Sequence, residues 1–413
     1  MSFDPTGYTL AHEHLHIDLS GFKNNVDCRL DQYAFICQEM NDLMARGVRN
    51  VIEMTNRYMG RNAQFMLDVM RETGINVVAC TGYYQDAFFP QHVATRSVQE
   101  LAQEMVDEIE QGIDCTDLKA GIIAEIGSSE GKITPLEEKV FIAAALAHNQ
   151  TGRPISTHTS FSTMGLEQLA LLQAHGVDLS RVTVGHCDLK DNLDNILKMI
   201  DLGAYVQFDT IGKNSYYPDE KRIAMLHALR DRGLLNRVML SMDITRRSHL
   251  KANGGYGYDY LLTTFIPQLR QSGFSQADVD VMLRETPSQF SNKDRLMKKI
   301  GVAGLQREQI KKTIEATAPG CFEVFIHNDM EAAMKVKSGQ LDYYIGACNT
   351  GAGAALSIAI AVIGYNKSCT IAKPGIKAKD EHIAKMIAEG KVAFGLSVEH
   401  VEHAIPMLIN HLK

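Results

Sequence analysis

The chain has 413 residues, of which 45% are hydrophobic and 22% charged, and its formal net charge is −7. That length exceeds one average domain, and the composition is that of a soluble globular protein. The acidic balance gives no reason to expect nucleic acid as a partner.

The first ten residues, MSFDPTGYTL, lack a basic region followed by an apolar run, so no signal peptide is expected. Apolar runs of strand length then recur: YTLAH (8–12), VRNVIEM (48–54), INVVACT (75–81), AGIIAEI (120–126), PISTH (154–158), VTVGH (182–186), AYVQF (204–208) and RVMLSMD (237–243). Segments with apolar residues at 3–4 spacing separate them. One is LEEKVFIAAALAHN (136–149), which follows Thr134-Pro135, a helix-start signal. Runs without polar alternation fit strands buried on both faces of a parallel sheet. Eight strand–helix units predict an α/β fold, a closed (β/α)₈ TIM barrel.

In such a barrel every strand C-terminus opens on one face, where catalytic groups gather. The first run ends in His12, with His14 two positions on; the fourth ends near Glu125, the fifth in His158, the sixth in His186 and the eighth in Asp243. Strand alternation puts His12 and His14 on one side, so both can reach one ion. Imidazole and carboxylate are ligands that zinc and similar ions accept, and all six fall at one structural level. A metal site is expected there. His16 lies one step further out and is assigned no ligand role.

Taken in order, GYTLAHEHLHID, AEIG, STHTS, VGHCD and SMD resemble the phosphotriesterase family of the amidohydrolase superfamily, over about residues 1–290. The resemblance implies a barrel holding two divalent metal ions, usually zinc. It implies that His12, His14 and Asp243 hold the more buried ion, that His158 and His186 hold the more exposed one, and that Glu125 bridges both, where phosphotriesterases proper use a carboxylated lysine. Two such cations make hydroxide available at neutral pH and polarise a C=O or P=O bond. Asp243 is the expected proton acceptor. The predicted activity is hydrolysis of a small-molecule ester or lactone, with phosphoester hydrolysis, or a silent metal-dependent binding protein, as the alternatives.

Substrate contacts are open between two readings. Arg246 and Arg247 could bind an anionic group or face solvent. Tyr83 and Tyr84 could wall the pocket or simply pack. Asp188 and Lys251 are expected in loops at the mouth, with surface roles favoured over substrate contact, and the glycine-rich HLKANGGYGY (249–258) is expected to be mobile over the mouth. The chain has no Trp, so an aromatic leaving-group pocket is not evident.

Met297 marks a seam: arginine, frequent before it, occurs afterwards only at Arg307 in a lysine-rich remainder. Two domains are expected, 1–291 and 298–413, joined by a linker at 292–297. The second repeats a β–α rhythm through IGVAGL (300–305), FEVFIH (322–327), YYIGAC (343–348), CTIA (369–372) and VAFGLS (392–397). It predicts a small doubly wound, Rossmann-like α/β domain, and it resembles a small bacterial family of no assigned function. After YYIGAC, the residues Asn349, Thr350, Gly351 and Gly353 open a helix whose free N–H groups could hold an anion; tight helix–sheet packing is the other reading of those glycines. Cys348 could be reactive there or buried and inert.

The apolar stretch AGAALSIAIAVI (352–363) is too short to span a bilayer, so no membrane segment is expected. The eight cysteines are scattered without a CxxC pair, which fits reduced thiols in the cytoplasm. Nothing in the sequence bears on the oligomeric state.

Overall fold

The computed structural model describes residues 3–291, 298–319, 321–338, 340–350 and 354–412. The chain divides into two compact units, 1–292 and 293–413. The expected linker at 292–297 lies outside the described residues.

In the first unit all eight apolar runs are strands: β1 (Tyr8–Glu13), β2 (Val48–Glu53), β3 (Asn76–Thr81), β4 (Ile122–Ser128), β5 (Ile155–Thr159), β6 (Val182–Val184), β7 (Tyr205–Phe208) and β8 (Val238–Leu240). They pair in parallel in chain order. The sheet curls until the segment after β8 meets β1, where the Asp243 amide donates to the His12 carbonyl at 3.2 Å. This is a near-closed TIM-type barrel. Its helices cover the outer face because strands buried on both sides need an apolar layer outside as well as inside. The helix Pro135–Thr151 starts as expected: Thr134 and Glu137 form a reciprocal capping box, with Pro135 in the first turn.

The barrel interior is narrow and filled by small or slender side chains, among them Ala11, Ile52, Cys80 and Ala124. Its floor is closed from the C-terminal end of the unit. Phe290, on the helix Thr286–Ser291, packs edge-on against Tyr205 at 5.5 Å, and Arg181 donates to its carbonyl at 2.8 Å. The opposite end stays open, so polar groups collect there.

Buried charge also shapes the rim. Asp188, expected in a mouth loop with a surface role, is instead fully buried. Its carboxylate receives the Thr210 amide and the Arg222 guanidinium, which also bonds Asp219, the Tyr217 carbonyl and the Thr210 hydroxyl. One buried arginine thus ties down the whole segment from β7 to the following helix, Asp219–Arg230. A paired buried charge costs little only while its partner remains.

The second unit is a five-stranded parallel sheet: β9 (Lys298–Gly304), β10 (Phe322–Ile326), β11 (Tyr343–Cys348), β12 (Ser368–Ala372) and β13 (Ala393–Ser397), in the order β10-β9-β11-β13-β12. Helices 307–317, 380–388 and 401–412 pack on one face through Ile310, Ile314, Ile383 and Leu408. Helices 329–337 and 354–363 pack on the other through Ala332, Leu356 and Ala359. It is a doubly wound α/β domain. No helix among the described residues is long and apolar enough to cross a membrane.

Replacing Arg222 by Leu strands Asp188 and Asp219 in the interior. A loss of roughly 3–5 kcal/mol is expected, read as a lower denaturant midpoint for the barrel; an unchanged midpoint would contradict the role given to this arginine.

Candidate metal centre

The centre is built from the ends of β1, β4, β5, β6 and the segment after β8. On β1, alternation sends His12 and His14 into the mouth and Glu13 the other way. Glu13 is buried and accepts from the Ser241 hydroxyl and Met242 amide at 2.7 Å each, and from the Ile244 amide at 3.0 Å. It therefore grips the backbone on both sides of Asp243. That residue has φ of 51°, a left-handed conformation that costs a non-glycine residue of order 1–3 kcal/mol unless its surroundings fix it. Burial pushes the Glu13 carboxyl up to about 7.

His186 is held in a similar way. Its φ is 55°, and its amide donates to both Asp209 oxygens at 3.0 and 3.1 Å. Gly185, just before it, allows the close approach: a Cβ there would lie 2.5 Å from the Thr157 carbonyl oxygen. Glu53, at the end of β2, accepts from the Leu15 amide and the Thr55 hydroxyl.

These outer groups also set ring tautomers. Thr55 spends its proton on Glu53, so its oxygen accepts from His14 Nδ1–H at 2.8 Å. Asp209 takes Nδ1–H of His186 at 2.8 Å and lies 3.1 Å from Nδ1 of His12, which also donates to Gln207 at 2.9 Å. In all three rings Nδ1 is engaged from behind and Nε2 is the nitrogen that faces the centre, that of His186 lying 3.1 Å from Glu125. Nε2 of His12 is buried with no hydrogen-bond partner, although it lies 3.4 Å from Glu125. His158 is turned the other way: Nδ1 meets Glu125 at 2.8 Å, and Nε2 lies 3.4 Å from the Tyr84 hydroxyl.

Glu125 is the common point. His12, His14 and Glu125 place ligand atoms within 4.8 Å of one another, and so do Glu125, His158 and His186. Asp243 lies 3.2 Å from His14 Nε2, and its other oxygen pairs with the Lys213 ammonium. The field is strongly negative. Burial pulls His12 and His186 down, but Asp209, with Glu125, more than reverses it; His12 stands well above its ordinary value and His186 rises to about 10. Burial would raise Glu125, yet His12 and His158 hold it well below the carboxylate range. An orphaned inward nitrogen, rings oriented from behind and buried carboxylates are a donor set that fits divalent cations.

The cavity above, about 260 Å³, is lined by Tyr84, Lys213, Arg246 and His249 as well as the ligand candidates. Of the other expected contacts, Tyr83 is buried and stacks on Tyr58 at 5.3 Å, outside the cavity. Arg247 also points away from it, bonded to the Arg29 carbonyl and Asp31 at 2.6 Å each. The 249–258 loop is tied down, contrary to the expected mobility. Glu39 accepts the amides of Lys251 and Tyr258, the Tyr258 hydroxyl donates to the His14 carbonyl at 2.5 Å, and Lys251 pairs with Asp42 and Asp259. In the second unit Asn349 and Thr350 form an exposed turn and Cys348 is half-buried, while Gly351 and Gly353 lie outside the described residues.

Asp209, Lys213, Gln207, Glu13, Glu53 and His249 were not singled out from the sequence. Asp209 had a signal, since it directly follows the run AYVQF. Lys213 had none, being one cation in a polar loop.

The description of the phosphotriesterase family matches residues 2–291, and that of a protein of unknown function, DUF2620, matches 298–412. The chain is 98% identical over 290 residues to the phosphotriesterase homology protein of Escherichia coli, spanning 70% of this chain and 99% of that one. It is 32% identical to an N-acetyltaurine hydrolase of Dictyostelium discoideum, covering 65% of this chain and 75% of the relative. It is 31% identical to an aryldialkylphosphatase of Saccharolobus solfataricus, covering 69% and 94%. Among solved structures, that of the Escherichia coli protein with phosphate in its active site superposes with a TM-score of 0.70 and 97% identity, covering 70% of this chain and all of that one. A lactonase from Listeria monocytogenes gives 0.66 at 26% identity, covering 70% and 95%.

Protons held by His12 and His186 compete with a metal ion, so metal uptake should release protons and apparent affinity should rise with pH up to about 10. Calorimetry in buffers of different ionisation enthalpy measures this; no buffer dependence would contradict it. Asp209→Asn, which loosens two rings, is expected to weaken metal binding roughly 10–100-fold.

Proposed function

The chain belongs to the phosphotriesterase family, a family of hydrolases, and from that premise we propose that residues 1–291 hydrolyse a small-molecule ester bond, a lactone or carboxylic ester, with two divalent ions, most simply zinc. The observation that carries the reading is the shared position of Glu125 between the His12/His14 pair and the His158/His186 pair. In this proposal His12, His14 and Asp243 hold the inner ion, His158 and His186 the outer one, and Glu125 both. When bound, the ions supply Lewis acidity and a water nucleophile at neutral pH.

The chain's own residues do the rest. Asp243 accepts the nucleophile's proton; its carboxylate is held in place by the backbone grip of Glu13 and by Lys213. Burial would raise Asp243, but Lys213 and His14 keep it well below the ordinary range and therefore anionic before reaction. Tyr84 walls the pocket beside His158. Arg246, 3.6 Å from Asp27 at the rim, and Lys213 give the cavity a cationic side that favours an oxygen-rich or anionic substrate. Neither Arg247 nor Tyr83 lines this cavity, so neither is given a substrate contact.

A second reading, phosphoester hydrolysis, draws support from the aryldialkylphosphatase relative, because both reactions use the same nucleophile and a polarised oxygen.

Elemental analysis of the purified chain is expected to give two divalent ions; one or none would overturn the two-ion reading. In a panel of lactones, carboxylic esters and phosphoesters, activity is expected to disappear on chelation. Asp243→Asn and His158→Ala should each lower turnover on the order of 100-fold or more. Near-normal hydrolysis by either variant would refute its assigned role.

A further inference from the structure

His249 projects from the loop after β8 into the same cavity as Lys213, Arg246 and the ligand candidates. Its ring is fixed on two sides. The Thr245 amide donates to Nδ1 at 3.3 Å, so Nδ1 carries a lone pair. The Tyr256 ring stacks on its face, with centroids 5.3 Å apart and planes at 27°. The backbone folds back to allow this: the His249 carbonyl accepts the Gly257 amide at 2.9 Å, and a Cβ on Gly255 would lie 2.2 Å from that same carbonyl oxygen. Glu39 then holds both ends of the returning segment through the Lys251 and Tyr258 amides.

A neutral imidazole whose Nδ1 accepts must carry its proton on Nε2. No hydrogen bond engages Nε2 among the described residues, and the residue lines the cavity. Resting on the hydrolytic reading of this site, we infer that His249 is a substrate-binding residue that presents a fixed, neutral Nε2–H donor to an oxygen of the bound substrate, beside the cationic Arg246. Burial, together with nearby Lys213, brings the imidazole down to about 4, so the ring is uncharged at neutral pH. A neutral donor suits an oxygen that gains charge during reaction without adding a third fixed cation to the rim. The glycine-rich loop then builds a rigid backing for one donor.

The test uses the full chain loaded with zinc and inorganic phosphate as the probe. Calorimetric affinity is expected to fall about ten-fold or more in His249→Phe, which keeps the ring stack and loses the donor, and to stay within about three-fold in His249→Gln, whose amide can donate. Zinc content should be equal in all three proteins. Nitrogen-15 spectra of the wild-type histidines should show the Nε2–H tautomer for the signal lost in both variants. Equal phosphate affinities, no phosphate binding by the wild type, or an Nδ1–H or doubly protonated ring would overturn the assignment. Absence of turnover on every ester, with phosphate binding still dependent on His249, would instead count against the hydrolytic reading alone.

Discussion

The barrel mouth is organised around buried negative charge that cannot be left uncompensated. Glu125, Asp209 and Asp243 are each less than a tenth exposed and lie within reach of one another's imidazole partners. Isolated carboxylates in such a place would be protonated or would unfold the site. Here every one is matched to His12, His14, His158, His186 or Lys213. The geometry of those matches leaves the Nε2 atoms of His12 and His186 facing Glu125 and that of His14 facing Asp243. The need for positive charge and the placement of ligands are one constraint seen from two sides.

That constraint explains why the rim is built so stiffly. Charges facing each other at about 3 Å stay apart and in register only if the backbone beneath them cannot relax. Glu13 and Asp209 supply that backbone control: Glu13 accepts the amides on both sides of left-handed Asp243, and Asp209 accepts the amide of left-handed His186 itself. Asp209 comes within ligand distance of His12 and His186, but on their Nδ1 side, whereas Glu125 meets the Nε2 side of both. Their work is done a layer behind it, where Arg222 in turn anchors the segment that carries Asp209 and Lys213.

Much of this was legible from the sequence, for a physical reason. Strands buried on both faces must be continuously apolar, so a polar residue at the end of such a run stands out, and His12, Glu125, His158, His186 and Asp243 did. Glu13 and Glu53 did not, because a charged residue beside a histidine in a strand looks like ordinary alternation until its amide partners are known. Lys213 and His249 come from loops, where no periodicity exists to mark them. The glycines of 249–258 were read as freedom of movement; in the fold Gly255 serves close approach instead. Asp188 was given a surface role because loop position says nothing about a buried partner as distant in sequence as Arg222. In the second unit the β–α rhythm was enough for the doubly wound sheet, but rhythm carries no chemistry.

Phe290 has a practical bearing on dissecting the molecule. The barrel's interior is plugged from below by an aromatic ring that arrives only at the last helical turn, one residue short of the unit's final described position. An excised barrel cut a few residues early would therefore be an uncorked cylinder, with Tyr205 and the guanidinium of Arg181 exposed to water from underneath. The boundary for producing the hydrolase half alone is thus set by that stopper rather than by the last strand.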